Sequence, residues 1–148
     1  MKALIVYDSQ HGNTEKVAQA IGEAIKGEVK VCRVGEATPD DFKSLDLLVI
    51  GSPTHGGRPT PAIQSLVKDL PGPVSTVRVA AFDTRMPAGW VKLFGFAADR
   101  IARTLKGKGW TLDTRPEGFY VRKSEGPLQD GELQRAAAWG KALTGHSR

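Results

Sequence analysis

The chain alternates short apolar runs with amphipathic helical segments from one end to the other, and that order leaves few folds open. "KALIVYD" (2–8) is almost continuously apolar, as a parallel strand buried on both faces must be. Residues 13–26 place Val17, Ile21, Ala24 and Ile25 on one helical stripe. "VKVCRV" (29–34) alternates like a strand. A short helical turn follows Thr38-Pro39, with Thr38 suited to the cap and Pro39 to the first helical position. "LDLLVIGSP" (45–53) is the most apolar run and so the expected centre of the sheet. A helix over 61–70 carries Ile63, Leu66, Val67 and Leu70 on one side, and "TVRVAAF" (76–82) supplies a fourth strand. The next helix is expected over 91–106, with Leu93, Phe94, Ala97, Ile101 and Leu105 inward and a stop at Gly107 and Gly109. A fifth strand within 110–122 is interrupted near Pro116, and a last helix over 129–143 groups Leu133, Ala137, Gly140 and Leu143. The tail "TGHSR" is expected to fray.

Strands alternating with helices predict an α/β fold: a doubly wound, five-stranded parallel sheet with helices on both faces, since right-handed crossovers place them there. At 148 residues the expectation is a single domain over 1–148. The first apolar run ends at Asp8, short of a signal-peptide core of roughly 7–15 residues, and nothing resembles a membrane span. One cysteine, Cys32, allows no internal disulfide and reads as a small buried group, so a cytoplasmic setting is expected. The formal charge is +5, but the basic residues are scattered. Without a basic and aromatic stripe they read as solvated surface, and no nucleic-acid partner is expected.

Ligands in such sheets bind outside the carboxyl ends of the strands, where strand order reverses. After the first strand comes Ser9-Gln10-His11-Gly12-Asn13-Thr14, which runs into a helix start. Unpaired first-turn N–H groups, the helix dipole and the donors of Ser9, His11, Asn13 and Thr14 suit an anion, with Gly12 permitting close approach. There is no Gly-Lys-Ser/Thr as in a nucleotide P-loop and no Gly-x-Gly-x-x-Gly turn. A capped helix start without a ligand would use the same residues. After the third strand, "GSPTHGGRPTP" (51–61) is an ordered loop able to hold a flat ligand against main chain, or plain turn chemistry. After the fourth, "FDTRMPAGWVK" (82–92) offers Asp83 as an acceptor and Trp90 as either core packing or a cover for a ring.

Taken together, the three loops resemble those of the flavodoxins. "SQHGNT" is similar to that family's phosphate loop, Ser/Thr-x-Thr-Gly-x-Thr, and "GSPTHGG" to its second flavin loop. The resemblance implies strand order 2-1-3-4-5, an order given for flavodoxin in general accounts of the fold, and flavin mononucleotide (FMN) as cofactor. It implies that Ser9, His11, Gly12, Asn13 and Thr14 hold the phosphate. Ser52, Pro53, Thr54, His55, Gly56 and Gly57 would line the ring, and Phe82, Asp83, Thr84 and Arg85 would close the pocket.

The sequence departs from that pattern in four ways. His11 replaces the usual threonine, His55 stands where a tryptophan often stacks, the tyrosine expected after strand four is absent, and the chain is basic. Arg58, Arg85 and Lys92 in the flavin loops, against the single acid Asp83, predict a higher reduction potential than that of an acidic flavodoxin. An acidic redox partner protein, or a small oxidised substrate, then fits better than a basic partner.

The expected function is electron transfer. The alternatives are a small-substrate flavin oxidoreductase of quinone or porphyrinogen type, or a cofactor-free binding domain on the same fold. A response-regulator receiver would need an aspartate ending strand three, where Gly51-Ser52-Pro53 stands. A hydrolase using Ser52, His55 and Asp83 would need a Gly-x-Ser-x-Gly elbow, and the chain has none.

Overall fold

A computed structural model describes residues 1–73, 76–87 and 95–145. Strands β1 (Lys2–Tyr7), β2 (Glu28–Arg33), β3 (Leu47–Pro53) and β4 (Arg78–Arg85) are joined by helices α1 (Asn13–Ala24) and α2 (Pro61–Asp69). Helix α3 (Ala97–Gly107), the short strands β5 (Thr111–Leu112) and β6 (Glu117–Tyr120), and helix α4 (Glu132–Gly145) complete the chain. The sheet order is β2-β1-β3-β4-β5, all parallel, with β6 also pairing β4. The interrupted fifth strand is thus two segments lying along successive stretches of β4, Thr111 beginning opposite Arg78 and Glu117 opposite Phe82.

Alternation along the central strands divides the core in two. Leu4, Val6, Leu48, Ile50, Val79 and Ala81 face α2 and α3, where they meet Ile63, Val67, Ile101 and Leu105. Ala3, Ile5, Leu47, Val49, Ala80 and Phe82 face α1 and α4, where they meet Val17, Ile21 and Leu143. Cys32 is buried, and burial pushes its thiol above the ordinary value. Phe82 is fully buried; its ring stands edge-on to Phe119 and Trp139 and lies so close over Gly51 that a Cβ there would sit 2.1 Å from it.

Three expected elements shift. Strand β4 runs to Arg85 rather than ending at Phe82, because β3 and β6 continue to pair with it through Thr84 and Arg85. Helix α3 begins at Ala97: Phe96 is extended and Gly95 has φ +79, so neither is helical. The expected start at residue 91, with Leu93 and Phe94, lies outside the described residues, as do Trp90, Lys92 and 146–148 of the tail. In α4, Leu133 is exposed, while Ala136, Gly140 and Leu143 make the inward face. The turn at Pro39–Phe42 forms as expected, with Thr38 and Asp41 in a reciprocal capping box. Among the described residues no helix is long and apolar enough to cross a membrane, and no cluster of side chains could hold a metal ion.

Candidate ligand-binding site

The carboxyl ends of β1, β3 and β4 converge on one cleft. Its walls include Ser9, Gln10, His11, Asn13 and Thr14 from the first loop, and Pro53, Thr54 and His55 from the second. Thr84, Arg85 and Met86 come from the end of β4, and Val121 and Ser124 from the segment before α4. None of these residues is acidic. The cleft is partly open to solvent, with a volume of about 70 Å³.

The first loop is shaped for close approach. Gly12, the residue before α1, sits at φ +88, a left-handed conformation that favours glycine, and a Cβ there would meet no atom within 4 Å. Gly12, at the cap position, brings no side chain to the first turn. The Ser9 hydroxyl accepts N–H bonds from Gly12 (3.1 Å) and Glu15 (3.4 Å), so it pins the loop while keeping its own proton to donate. The amides of Asn13 and Thr14 belong to a first turn that no helical carbonyl can serve. Arg33, on β2, braces this loop from outside: its guanidinium donates to the Ser9 carbonyl (2.9 Å) and to Glu15 (3.0 Å). Nothing in the sequence marked that role, because it depends on β2 pairing with β1, which sets Arg33 beside Tyr7.

The second loop is stapled rather than open. The Ser52 hydroxyl is fully buried; it donates to the Pro53 carbonyl (2.8 Å) and accepts from the Thr60 amide (3.0 Å). Thr54 Oγ1 accepts from the Ala97 amide at the start of α3. His55 and Arg58 exchange both backbone bonds, at 2.9 and 3.0 Å, across a tight turn in which Gly56 and Gly57 both have positive φ. A two-residue turn of that kind needs glycine-like residues. Gly57 then offers its carbonyl to Arg100 Nε, 2.7 Å away on α3. His55 lines the cleft, while neither Ser52 nor the two glycines do.

At the third edge, the continuation of β4 separates four residues that the sequence grouped as a loop. Phe82 belongs to the core under α1 and α4. Asp83, on the opposite face, is fully buried and holds Arg85 through two bonds, 2.7 and 2.9 Å, while accepting the Ala98 amide at 2.9 Å. Burial drives its carboxyl above the ordinary range, against the opposing pull of Arg85 and the Ala98 amide. Asp83 therefore has its acceptors committed. Arg85 stacks on Phe96, 3.6 Å from the ring centre. Thr84 points to the α1 side, and its hydroxyl shares a 2.9 Å bond with that of Thr14 while its carbonyl accepts the Thr54 amide at 3.0 Å. One residue thus ties all three loops together.

The segment before α4 is a fourth contributor with no signal in the sequence. Asn13 Nδ2 donates to the Glu125 carbonyl (3.2 Å), and a Cβ on Gly126 would come within 2.7 Å of the Asn13 amide. The electrostatic expectation also changes. Arg85 is offset by Asp83 and Lys92 lies outside the described residues, so of the three cations Arg58 alone stands without an ion pair among the described residues.

A parallel sheet in this order, with its loops gathered at the switch point between β1 and β3, defines a doubly wound α/β protein of the flavodoxin-like kind. The family profile described as "Flavodoxin domain" matches residues 4–89, more than half of the chain. The chain belongs to the flavodoxin family. A flavodoxin of Aquifex aeolicus (strain VF5) is 40% identical over 60 residues, a stretch that is 38% of this chain and 32%, about a third, of that protein. Among solved structures, a flavodoxin from the domain Archaea superposes over 100% of both chains with a TM-score of 0.79 at 24% identity. Oxidised flavodoxin 2 from Bacillus cereus does so with a TM-score of 0.80 at 20% identity, over 98% of this chain and 99% of that one. The rubredoxin oxygen:oxidoreductase of Desulfovibrio gigas matches 97% of this chain with 35% of its own, with a TM-score of 0.74 at 18% identity. At these identities the likeness of the structures is one of fold.

Proposed function

We propose that this chain binds FMN and carries electrons between redox partners. The observation that carries the reading is the start of α1, where open space surrounds Gly12 and the first-turn residues Asn13 and Thr14 stand in the wall of a cleft that no acidic residue lines. A phosphate dianion fits that donor set: first-turn amides, the hydroxyls of Ser9 and Thr14, and the imidazole of His11. When bound, the flavin supplies the redox chemistry, and the protein supplies position and field.

The chain's own part is to fix the phosphate and leave the ring at the rim. Thr84 holds Thr14 and Thr54 in one register, and the staple at Ser52 presents His55 at the opposite lip. Gln10, His55 and Met86 are exposed there, Met86 at 39% of its surface, so a ring seated beside them presents an edge to an approaching protein. That exposed lip favours exchange with a partner over chemistry in a closed substrate chamber.

The test compares FMN with riboflavin, which lacks the phosphate. Charge-assisted bonds contribute about 1.5–3 kcal/mol each, so FMN should bind at least tens of times more tightly when followed by quenching of flavin fluorescence. Equal affinities for the two flavins, or no uptake of either, would defeat the reading and leave only the family and the fold.

A further inference from the structure

A second concave feature lies on the α2–α3 face, outside the cleft. It is a groove of about 500 Å³, floored by Val67 and Ile101 and rimmed by Arg58, Lys68 and Arg100. Ser65 and Thr104 add hydroxyls, and none of the residues lining it is acidic. Neither neighbouring acid lines it. Asp69 lines a separate hollow on the other flank of α2, and Asp99 lies close enough to Asp83 to repel its charge. Arg58 and Lys68 make no ion pair with any described residue.

The groove is braced at both ends. Arg100 Nε donates to the Gly57 carbonyl at one end. At the other, Lys108 Nζ donates to the carbonyls of Val67 (2.8 Å), Leu70 (2.7 Å) and Lys68, tying the last turn of α2 to the end of α3. A pre-formed groove loses little freedom when it is filled. It also shares a wall with the cleft. His55 and Arg58 face each other as a hydrogen-bonded pair across the Gly56-Gly57 turn, with His55 lining the cleft and Arg58 lining the groove. Such pairs have Cα atoms about 5.5 Å apart. A protein seated in the groove therefore stands one hairpin width from the proposed flavin.

We propose that the α2–α3 groove docks an acidic partner protein, one presenting paired carboxylates around an apolar side chain. The carboxylates meet Arg58, Lys68 and Arg100, and the apolar side chain fills the floor over Val67 and Ile101. The net charge of +5 adds long-range steering toward such a surface. The assignment deepens the electron-carrier reading and rests on it for the partner's purpose, while the groove's binding chemistry can be measured independently.

The probe is a short synthetic peptide of paired glutamates separated by leucines. It is titrated into the full-length ¹⁵N-labelled chain at low and moderate salt, with and without added FMN. Saturable amide shifts should fall on residues 57–68 and 100–104 and weaken as salt rises. The double reversal Arg58→Glu/Lys68→Glu should weaken binding about tenfold or more. Lys26→Glu/Lys141→Glu, an equal change of charge on two exposed residues, one just past α1 and one on α4, should leave it within about twofold. Thermal melts confirm that both variants are folded.

Equal losses in the two variants would reduce the effect to net charge, and shifts centred elsewhere, or none, would overturn the site. Tighter binding of a short DNA duplex at the same salt would overturn it in favour of a nucleic-acid surface. Peptide binding by a chain that takes up no flavin would keep the dock and sink the electron-carrier reading. Flavin uptake without peptide binding would do the reverse.

Discussion

Gly118→Ala, the addition of one methyl group on β6, is expected to unseat Arg85. Gly118 pairs with Asp83 across the sheet, and a Cβ on it would lie 2.1 Å from Arg85 Nε and 2.2 Å from Cζ. Ordinary contact needs about 3.5 Å or more. To make room, the guanidinium must leave Asp83 and Phe96, or β6 must part from β4. Side-chain exposure is 12% for Arg85 and 0% for Asp83, so the pair is buried. Depriving a buried charge of its partner costs about 3–5 kcal/mol, a large share of a total stability of about 5–15 kcal/mol. At about 2–4 °C per kcal/mol, the midpoint should fall by about 6–20 °C.

The pH dependence supplies a second, signed test. Asp83 has a folded pKa above its unfolded value, so its contribution is fully present below about pH 3.9 and is lost as pH rises through the folded value. Without Arg85 beside it that value climbs further. The gap between Gly118→Ala and the parent should therefore widen as pH rises through the parent's folded value. Urea melts across that range measure it. A loss below about 1 kcal/mol, or an equal loss when alanine is introduced beside Arg85→Met, would refute the account, because nothing would then pass through the ion pair.

Thr84→Val removes a buried hydroxyl bonded to Thr14; a stability loss of about 1–3 kcal/mol and an FMN affinity weakened by about tenfold are expected from melts and fluorescence titration. At Gly12 the space is open, so Gly12→Ala should cost only the left-handed backbone penalty of about 1–2 kcal/mol, with Gly12→Asn costing less in the same melts. Glu132 is held below its ordinary pKa by its bonds to Arg135 and the Tyr120 amide, so its contribution is present above about pH 4.3 and lost as pH falls through the lower folded value. Glu132→Gln should flatten the acid side of a stability-against-pH curve, and an unchanged acid limb would discount the Arg135 contact.

Sequence and structure part at the site for two different reasons. Polar side chains after an apolar run read as loop, yet Asp83, Thr84 and Arg85 are strand, because β3 and β6 continue to pair with them on both sides. Once they are strand, alternation sends Thr84 to Thr14 and Asp83 away from it, a division that local sequence cannot express. Arg33 and the 121–126 segment stayed unmarked because their contacts to Ser9 and Asn13 span long stretches of chain.

What the sequence determined by itself is periodic or local. The strand and helix order follows from apolar spacing, the Thr38 cap and the glycine turn at 56–57 from backbone chemistry, and the first two loops of the cleft from short motifs. Only the tertiary structure decided which polar groups are spent on one another. It commits Ser52 to Thr60, Asp83 to Arg85, and Arg100 to Gly57, and leaves Arg58 and Lys68 facing a groove. The physical reason is that a buried polar group must find a partner, and which partner lies within reach is fixed by how strands and helices distant in the chain come together.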